Sequence, residues 1–211
     1  MAYVLPNRKL FFVHIPKNAG NSIARNMKRH GGMRVNDDHK HEKQEYFLEQ
    51  YPDYTFFCVV RNPYSRLVSA FHYYKRGGGR SDIARRRREL GLNKTDPRGS
   101  INNHTFSEFV QGGWILGWGC VEEPSSAYFS ASVAMHALPF EDLQNSYTKF
   151  CEEQLDLSPV AAFLAADLET HNKSNHDDWR SYYDDDLASI VYEKHREDFD
   201  RFSYDRNSYR L

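Results

Sequence analysis

A strand pattern that runs into a loop and then a helix occurs twice early in the chain, and this repetition restricts what the chain can fold into. The first copy is Lys9-Leu-Phe-Phe-Val-His-Ile15, an apolar run stopped by Pro16, followed by Pro16-Lys-Asn-Ala-Gly-Asn-Ser22 and a helical pattern that carries Ile23 and Met27 up to Gly31 and Gly32. The second is Tyr54-Thr-Phe-Phe-Cys-Val-Val60, then Arg61-Asn62-Pro63, then Leu67, Val68 and Phe71 at helical spacing. Apolar runs without alternation belong to strands buried on both faces, the hallmark of parallel sheets. Pro63 holds Asn62 extended and suits the first turn of a helix. The two units predict an α/β, three-layer fold with a central, mainly parallel sheet flanked by helices.

Further elements follow from local signals. Thr105-Phe-Ser-Glu108 is a capping box that opens a short helix closed by Gly112 and Gly113. Residues 132–138 read as a further strand, 141–151 and 159–166 as helices, and Leu187, Ile190, Val191, His195 and Phe199 form the apolar stripe of a closing helix over 184–202. Between 75 and 100 the composition turns basic and Gly-rich, with Gly77-Gly-Gly79 and Arg85-Arg-Arg-Arg88, and predicts a mobile excursion from a single domain spanning residues 1–211. A chain of 211 residues that is 40% hydrophobic and 15% aromatic can build its own core despite a mean hydropathy of -0.77.

The formal net charge of -1 gives no global attraction to nucleic acid or membrane, so anion binding has to come from local clusters. Cys58, Cys120 and Cys151 are far apart and lack a C-x-x-C pair, which fits a reducing compartment. With no membrane-length apolar run and no leader pattern, the expectation is a soluble, cytoplasmic protein, although a trimmed form of a longer anchored protein would carry the same pattern.

Residues 16–22, set between a strand and a helix, have the composition of an anion cradle, a P-loop-type turn. Lys17 supplies a positive charge, Gly20 lets the backbone approach closely, and Ser22 offers a hydroxyl at the helix start. The pattern differs from G-x-x-x-x-G-K-[ST]: Lys17 lies well before Ser22, and the first Gly is missing. Arg61 and Ser69 of the second unit fall at the same edge of the expected sheet, where open α/β sheets bind ligands.

Together, His14-Ile-Pro-Lys-Asn-Ala-Gly-Asn-Ser-Ile23 and Val59-Val-Arg-Asn-Pro-Tyr-Ser-Arg-Leu-Val-Ser-Ala-Phe71 resemble the two nucleotide-binding signatures of sulfotransferases that use 3'-phosphoadenosine 5'-phosphosulfate (PAPS), in particular the carbohydrate branch related to heparan sulfate 2-O-sulfotransferase. The resemblance extends to Phe140-Glu-Asp-Leu143, His171-Asn-Lys-Ser174 and Asp198-Phe-Asp-Arg-Phe202. It implies that Lys17, Asn18, Gly20, Asn21 and Ser22 bind the 5'-phosphosulfate, that Arg61 and Ser69 bind the 3'-phosphate, and that Asn172, Lys173 and Ser174 form a loop over the nucleotide. Asn18 and Asn21 stand where the pattern often has Thr.

The implied reaction is in-line sulfuryl transfer from PAPS to an acceptor hydroxyl of a carbohydrate, with 3'-phosphoadenosine 5'-phosphate (PAP) as product and no metal required. Lys17 takes the leaving-group role. The related enzymes carry a His shortly before the second strand; the candidates are His41 and His39, and spacing to the second signature favours His41 as base.

His39 and His41 lack further ligands at zinc spacing. His14 reads as a core or supporting histidine. The Arg85 to Arg88 run reads as a solvated loop or as a platform for an anionic acceptor such as a uronate-containing glycan, and Trp114 and Trp118 as packing or as sugar-stacking residues. The alternatives are a P-loop small-molecule kinase, which needs Mg and a nucleoside triphosphate, and a non-catalytic glycan- or partner-binding protein on the same fold. No nucleic-acid partner is expected, and the sequence leaves the oligomeric state open.

Overall fold

The computed structural model describes residues 2–35, 41–93, 96, 99–155, 168 and 176–210. Its strands are β1 (Tyr3–Leu5), β2 (Leu10–Phe12), β3 (Met33–Arg34), β4 (Thr55–Val60) and β5 (Met135–Pro139). Its helices are α1 (Gly20–Arg29), α2 (Gln44–Leu48), α3 (Pro63–Lys75), α4 (Arg80–Glu89), α5 (Phe106–Val110), α6 (Leu143–Leu155) and α7 (Asp185–Phe202). The chain forms two compact units, Met1–Arg61 with Ser125–Lys173, and Asn62–Pro124 with Ser174–Leu211.

The first unit holds the sheet, in the order β3-β1-β2-β4-β5. β2 pairs with β4 and β4 with β5 in parallel, with Phe12 opposite Phe57 and Val59 opposite Leu138, while β1 is antiparallel to both β2 and β3. Leu10, Phe12, Phe57 and Val59 pack with Ile23 and Met27 of α1 and with Tyr147, Phe150 and Cys151 of α6. Phe11 points the other way, its ring 4.6 Å from Phe47 of α2 and 4.9 Å from Phe56. Helices therefore lie on both faces of β2 and β4, which is why neither strand alternates apolar with polar residues. Each buried Phe is worth roughly 1.5–3 kcal/mol relative to its exposed state. One polar pair is built into this core: buried Asn26 accepts from Tyr147 Oη at 2.9 Å.

In the second unit α3 is buried along almost its whole length. Asn62 caps it, Oδ1 accepting from the Tyr64 amide at 3.0 Å, and Pro63 occupies the first turn as its fixed φ allows. The predicted capping box of α5 is present: the Glu108 amide donates to Thr105 Oγ1 at 3.2 Å and the Thr105 amide to Glu108 Oε2 at 2.7 Å. That backbone donor is the main reason the Glu108 carboxyl stays below the usual range. Trp114 and Trp118 are 3% and 2% exposed and belong to the core with Phe71, Phe109 and Val191, so they pack and present no face to a sugar.

The basic stretch differs from its expectation as irregular chain, because Arg80–Glu89 is helical. The helix answers much of its own charge: Arg85 lies 3.5 Å from Asp82 and 3.8 Å from Glu89, and Arg86 lies 3.1 Å from Glu89. Exposed pairs of this kind stabilise little, but they leave less bare charge than the sequence suggests. The helix expected over 159–166 lies outside the described residues.

α7 departs from helical geometry at His195, whose ring is buried beside Trp118 with centroids 5.2 Å apart and lies 3.9 Å from the Asp198 carboxylate. Burial, then the charges of Arg66 and Lys194, hold its pKa down at about 3, against an ordinary 6.5. The folded state therefore excludes a proton that the unfolded chain accepts below about pH 6.5. Stability should be unaffected by His195 above that pH and fall by up to about 1.4 kcal/mol per pH unit as pH drops towards 3. Denaturant midpoints measured from pH 7 to 4 should show this slope, and His195→Gln should flatten it.

Candidate functional site

The site begins where β2 and β4 end. Beyond β2 one more rung forms, the Val13 amide donating to Phe57 O at 2.9 Å, before Pro16 turns the chain into the loop. Lys17 and Ala19 are left-handed, with φ of 69° and 54°, and Ala19 is the N-cap of α1. Non-Gly residues in this region cost roughly 1–2 kcal/mol each, so the loop needs outside support.

Two side chains from this unit supply it. Buried Asn18 donates through Nδ2 to Val59 O at 2.9 Å and to Ser125 Oγ at 3.2 Å. Arg61, at the end of β4, donates from Nη1 to Lys17 O at 3.3 Å, and its guanidinium lies over the Phe140 ring, 4.1 Å from the centroid. Both amide hydrogens of Asn18 are thus used within the protein. Its side chain has no donor left for an anion, and what it can offer a ligand is its backbone N–H.

α1 opens with Gly20, Asn21 and Ser22. No side chain caps it, and its first turn holds no acidic residue, while Lys28 and Arg29 occupy its last. No carboxylate of its own first turn therefore competes for the positive end of the helix dipole. Adjacent left- and right-handed residues, here Ala19 and Gly20, turn successive N–H groups towards one point, the arrangement that binds phosphate or sulfate.

Gly20 has a second reason to lack a side chain. A Cβ there would stand 2.0 Å from both Cδ2 and Nε2 of His14. The His14 ring in turn lies 4.8 Å from that of exposed His41, and His41 Nδ1 is 3.3 Å from His14 O. A carbonyl oxygen only accepts, so Nδ1 of His41 carries the proton, which makes Nε2 the basic nitrogen.

The first unit thus brings together Lys17, Asn18, Gly20, Asn21, Ser22, His41 and Arg61. Ser69 is a buried residue of α3 in the second unit. His39, Asn172, Lys173 and Ser174 lie outside the described residues. Among the described residues no group of three His, Cys, Asp or Glu side chains could hold a metal ion, and no helix is long and apolar enough to cross a membrane.

Residues 1–158 match the model of the sulfotransferase family. The chain belongs to this sulfotransferase family. The matched span carries the whole sheet, the anion loop, Arg61 and α6, and ends before α7. No curated protein and no solved structure matches the chain. As a member of the family it has an acceptor substrate and transfers a sulfuryl group; the match is to the family as a whole and names no branch of it.

Two contributors to this candidate site escaped the sequence. Ser125 lies far from Asn18 in sequence and in neither signature, and nothing in its Pro-Ser-Ser context points to the loop. Phe140 stood inside a short resemblance, but its partner Arg61 could be found only in three dimensions.

Gly20→Ala should destabilise the protein by about 1–3 kcal/mol, as overpacking does. Adding His14→Ala should recover most of that loss, a comparison that thermal or denaturant unfolding can make directly.

Proposed function

We propose that this sulfotransferase uses PAPS as donor and a carbohydrate hydroxyl as acceptor. The observation that carries the donor assignment is the uncapped, carboxylate-free start of α1, set at the carboxyl ends of β2 and β4 beside Lys17 and Arg61. The chemistry of this donor set fits a 5'-phosphosulfate: backbone N–H dipoles, the Ser22 hydroxyl and the Lys17 ammonium, with the Arg61 guanidinium at the end of β4 adding positive charge for a 3'-phosphate. Ser69, Asn172, Lys173 and Ser174 remain part of the reading through the resemblance of their motifs.

Bound there, PAPS supplies an activated sulfuryl group and departs as PAP. Lys17 places positive charge where the leaving oxygen becomes negative, the point at which preorganised charge lowers the barrier most. His41, its Nδ1–H held by the His14 carbonyl, presents Nε2 to take the proton of the acceptor hydroxyl. The carbohydrate acceptor rests on the likeness of the two signatures to the carbohydrate branch. The ion pairs within α4 argue for an acceptor that does not depend on the Arg85 to Arg88 run.

Calorimetric titration with PAP, beside ATP with Mg, tests the donor. The expected result is Mg-independent binding of PAP, weakened by about tenfold or more in Arg61→Ala, the range for hydrogen bonds to charged groups. Binding of ATP with Mg alone would replace this reading by a kinase. In turnover assays Lys17→Ala should lower kcat by about 10²-fold or more, while His41→Ala should remove the acidic limb of the pH–rate profile with little change in PAP affinity. Full turnover in the Lys17 variant would refute its leaving-group role.

A further inference from the structure

We infer that Ser125 and Asn18 form a strut that positions the anion loop, so that donor affinity is set in part by a residue that never touches the donor. The inference rests on the PAPS reading above. In the β2–β4 ladder, the Val59 carbonyl stands one rung beyond the Phe57 carbonyl that accepts from Val13, level with the last residues before Pro16. The Asn18 amide occupies that rung, donating to Val59 O at 2.9 Å. Its second N–H goes to Ser125 Oγ at 3.2 Å. Asn18 is 1% and Ser125 0% exposed, so water cannot replace either bond without entering the core.

The strut sits where it has most effect. Asn18 lies between the two left-handed residues, Lys17 and Ala19, and its amide plane is fixed at both hydrogens. The Val59 carbonyl admits only a donor, which fixes the orientation of the amide, and a single bond to Val59 would still let that amide pivot. The Ser125 bond removes the pivot and so fixes the direction of the first N–H groups of α1. An Asn at this position thus exchanges a possible ligand contact for an internal tie, and Ser125 completes it.

The test is a double-mutant cycle on the PAP dissociation constant: wild type, Ser125→Ala, Asn18→Ala and the pair, with amide hydrogen exchange of residues 16–23 measured on the same proteins. Ser125→Ala should weaken PAP binding by about five- to tenfold and speed exchange in the loop, with the rest of the first unit unchanged. Asn18→Ala should weaken binding at least as much, and adding Ser125→Ala to it should change the dissociation constant by less than twofold, because Ser125 acts through Asn18. Should Asn18→Ala fail to fold, Ser125→Ala alone still decides by its two readouts. If wild type binds PAP and Ser125→Ala binds it equally well, or if the two effects simply multiply, the strut is overturned and the donor reading stands. If wild type binds no PAP, the donor reading has failed and the positioning role falls with it.

Discussion

The parallel pairing of β2 with β4 is the constraint from which the rest of the first unit follows. Strands buried on both faces have one workable register, because a slip of a single residue would exchange Phe11 with Phe12 and send each ring into the wrong layer. In that register β4 runs on from Phe57, the partner of the last residue of β2, to Val60, alongside the residues that lead into the loop. Their following residues, Lys17 and Arg61, meet there as carbonyl and guanidinium. The place of this loop is therefore a by-product of how phenylalanines are distributed between two helical layers.

Above the strand ends the balance of forces changes from apolar burial to a few directed bonds. The loop holds two residues in a strained region, and the hydrophobic core does not reach them. Asn18, Arg61 and the Phe140 ring beneath the guanidinium take over. Each is modest alone, but each is anchored at one end on a strand or on the residue that follows one, so less freedom is lost in forming it. A cradle held in this way is set before any ligand arrives, which is the condition for electrostatic stabilisation to act on a transition state.

The sequence made some of this legible and concealed the rest for physical reasons. β4, α3 and α7 could be read because each is long enough for periodicity or a continuous apolar run to register, β2 because the apolar run around it extends past the strand itself to Ile15 and is stopped by Pro16, and α5 because its capping box is a local chemical signature. β1 and β3 have three and two residues, too few for any period, so the antiparallel edge of the sheet was invisible. α4 was hidden by composition, since a run of arginines reads as solvated chain until Asp82 and Glu89 are seen one turn away on the same face. Lys17 and Arg61 were legible as a pair because both follow strands. Asn18 was read as a ligand contact through the resemblance of its loop to the nucleotide-binding signature; only the Val59 carbonyl and Ser125 reveal that its side chain faces inward. His14 was placed as a supporting residue, and it fills the space beside Gly20.

The bare start of α1 has a consequence for the molecule as a thermodynamic object. A helix usually completes its first turn with a side-chain cap worth about 1 kcal/mol, and this one uses Ala19 instead. An anion seated on those N–H groups is the missing cap, so folding and ligand binding share one free energy. At a ligand concentration one hundred times its dissociation constant the folded state gains about 2.7 kcal/mol. On the proposed reading, a donor seated there would stabilise the fold as well as fill the site, and a falling donor supply would lower stability while the site was still largely occupied.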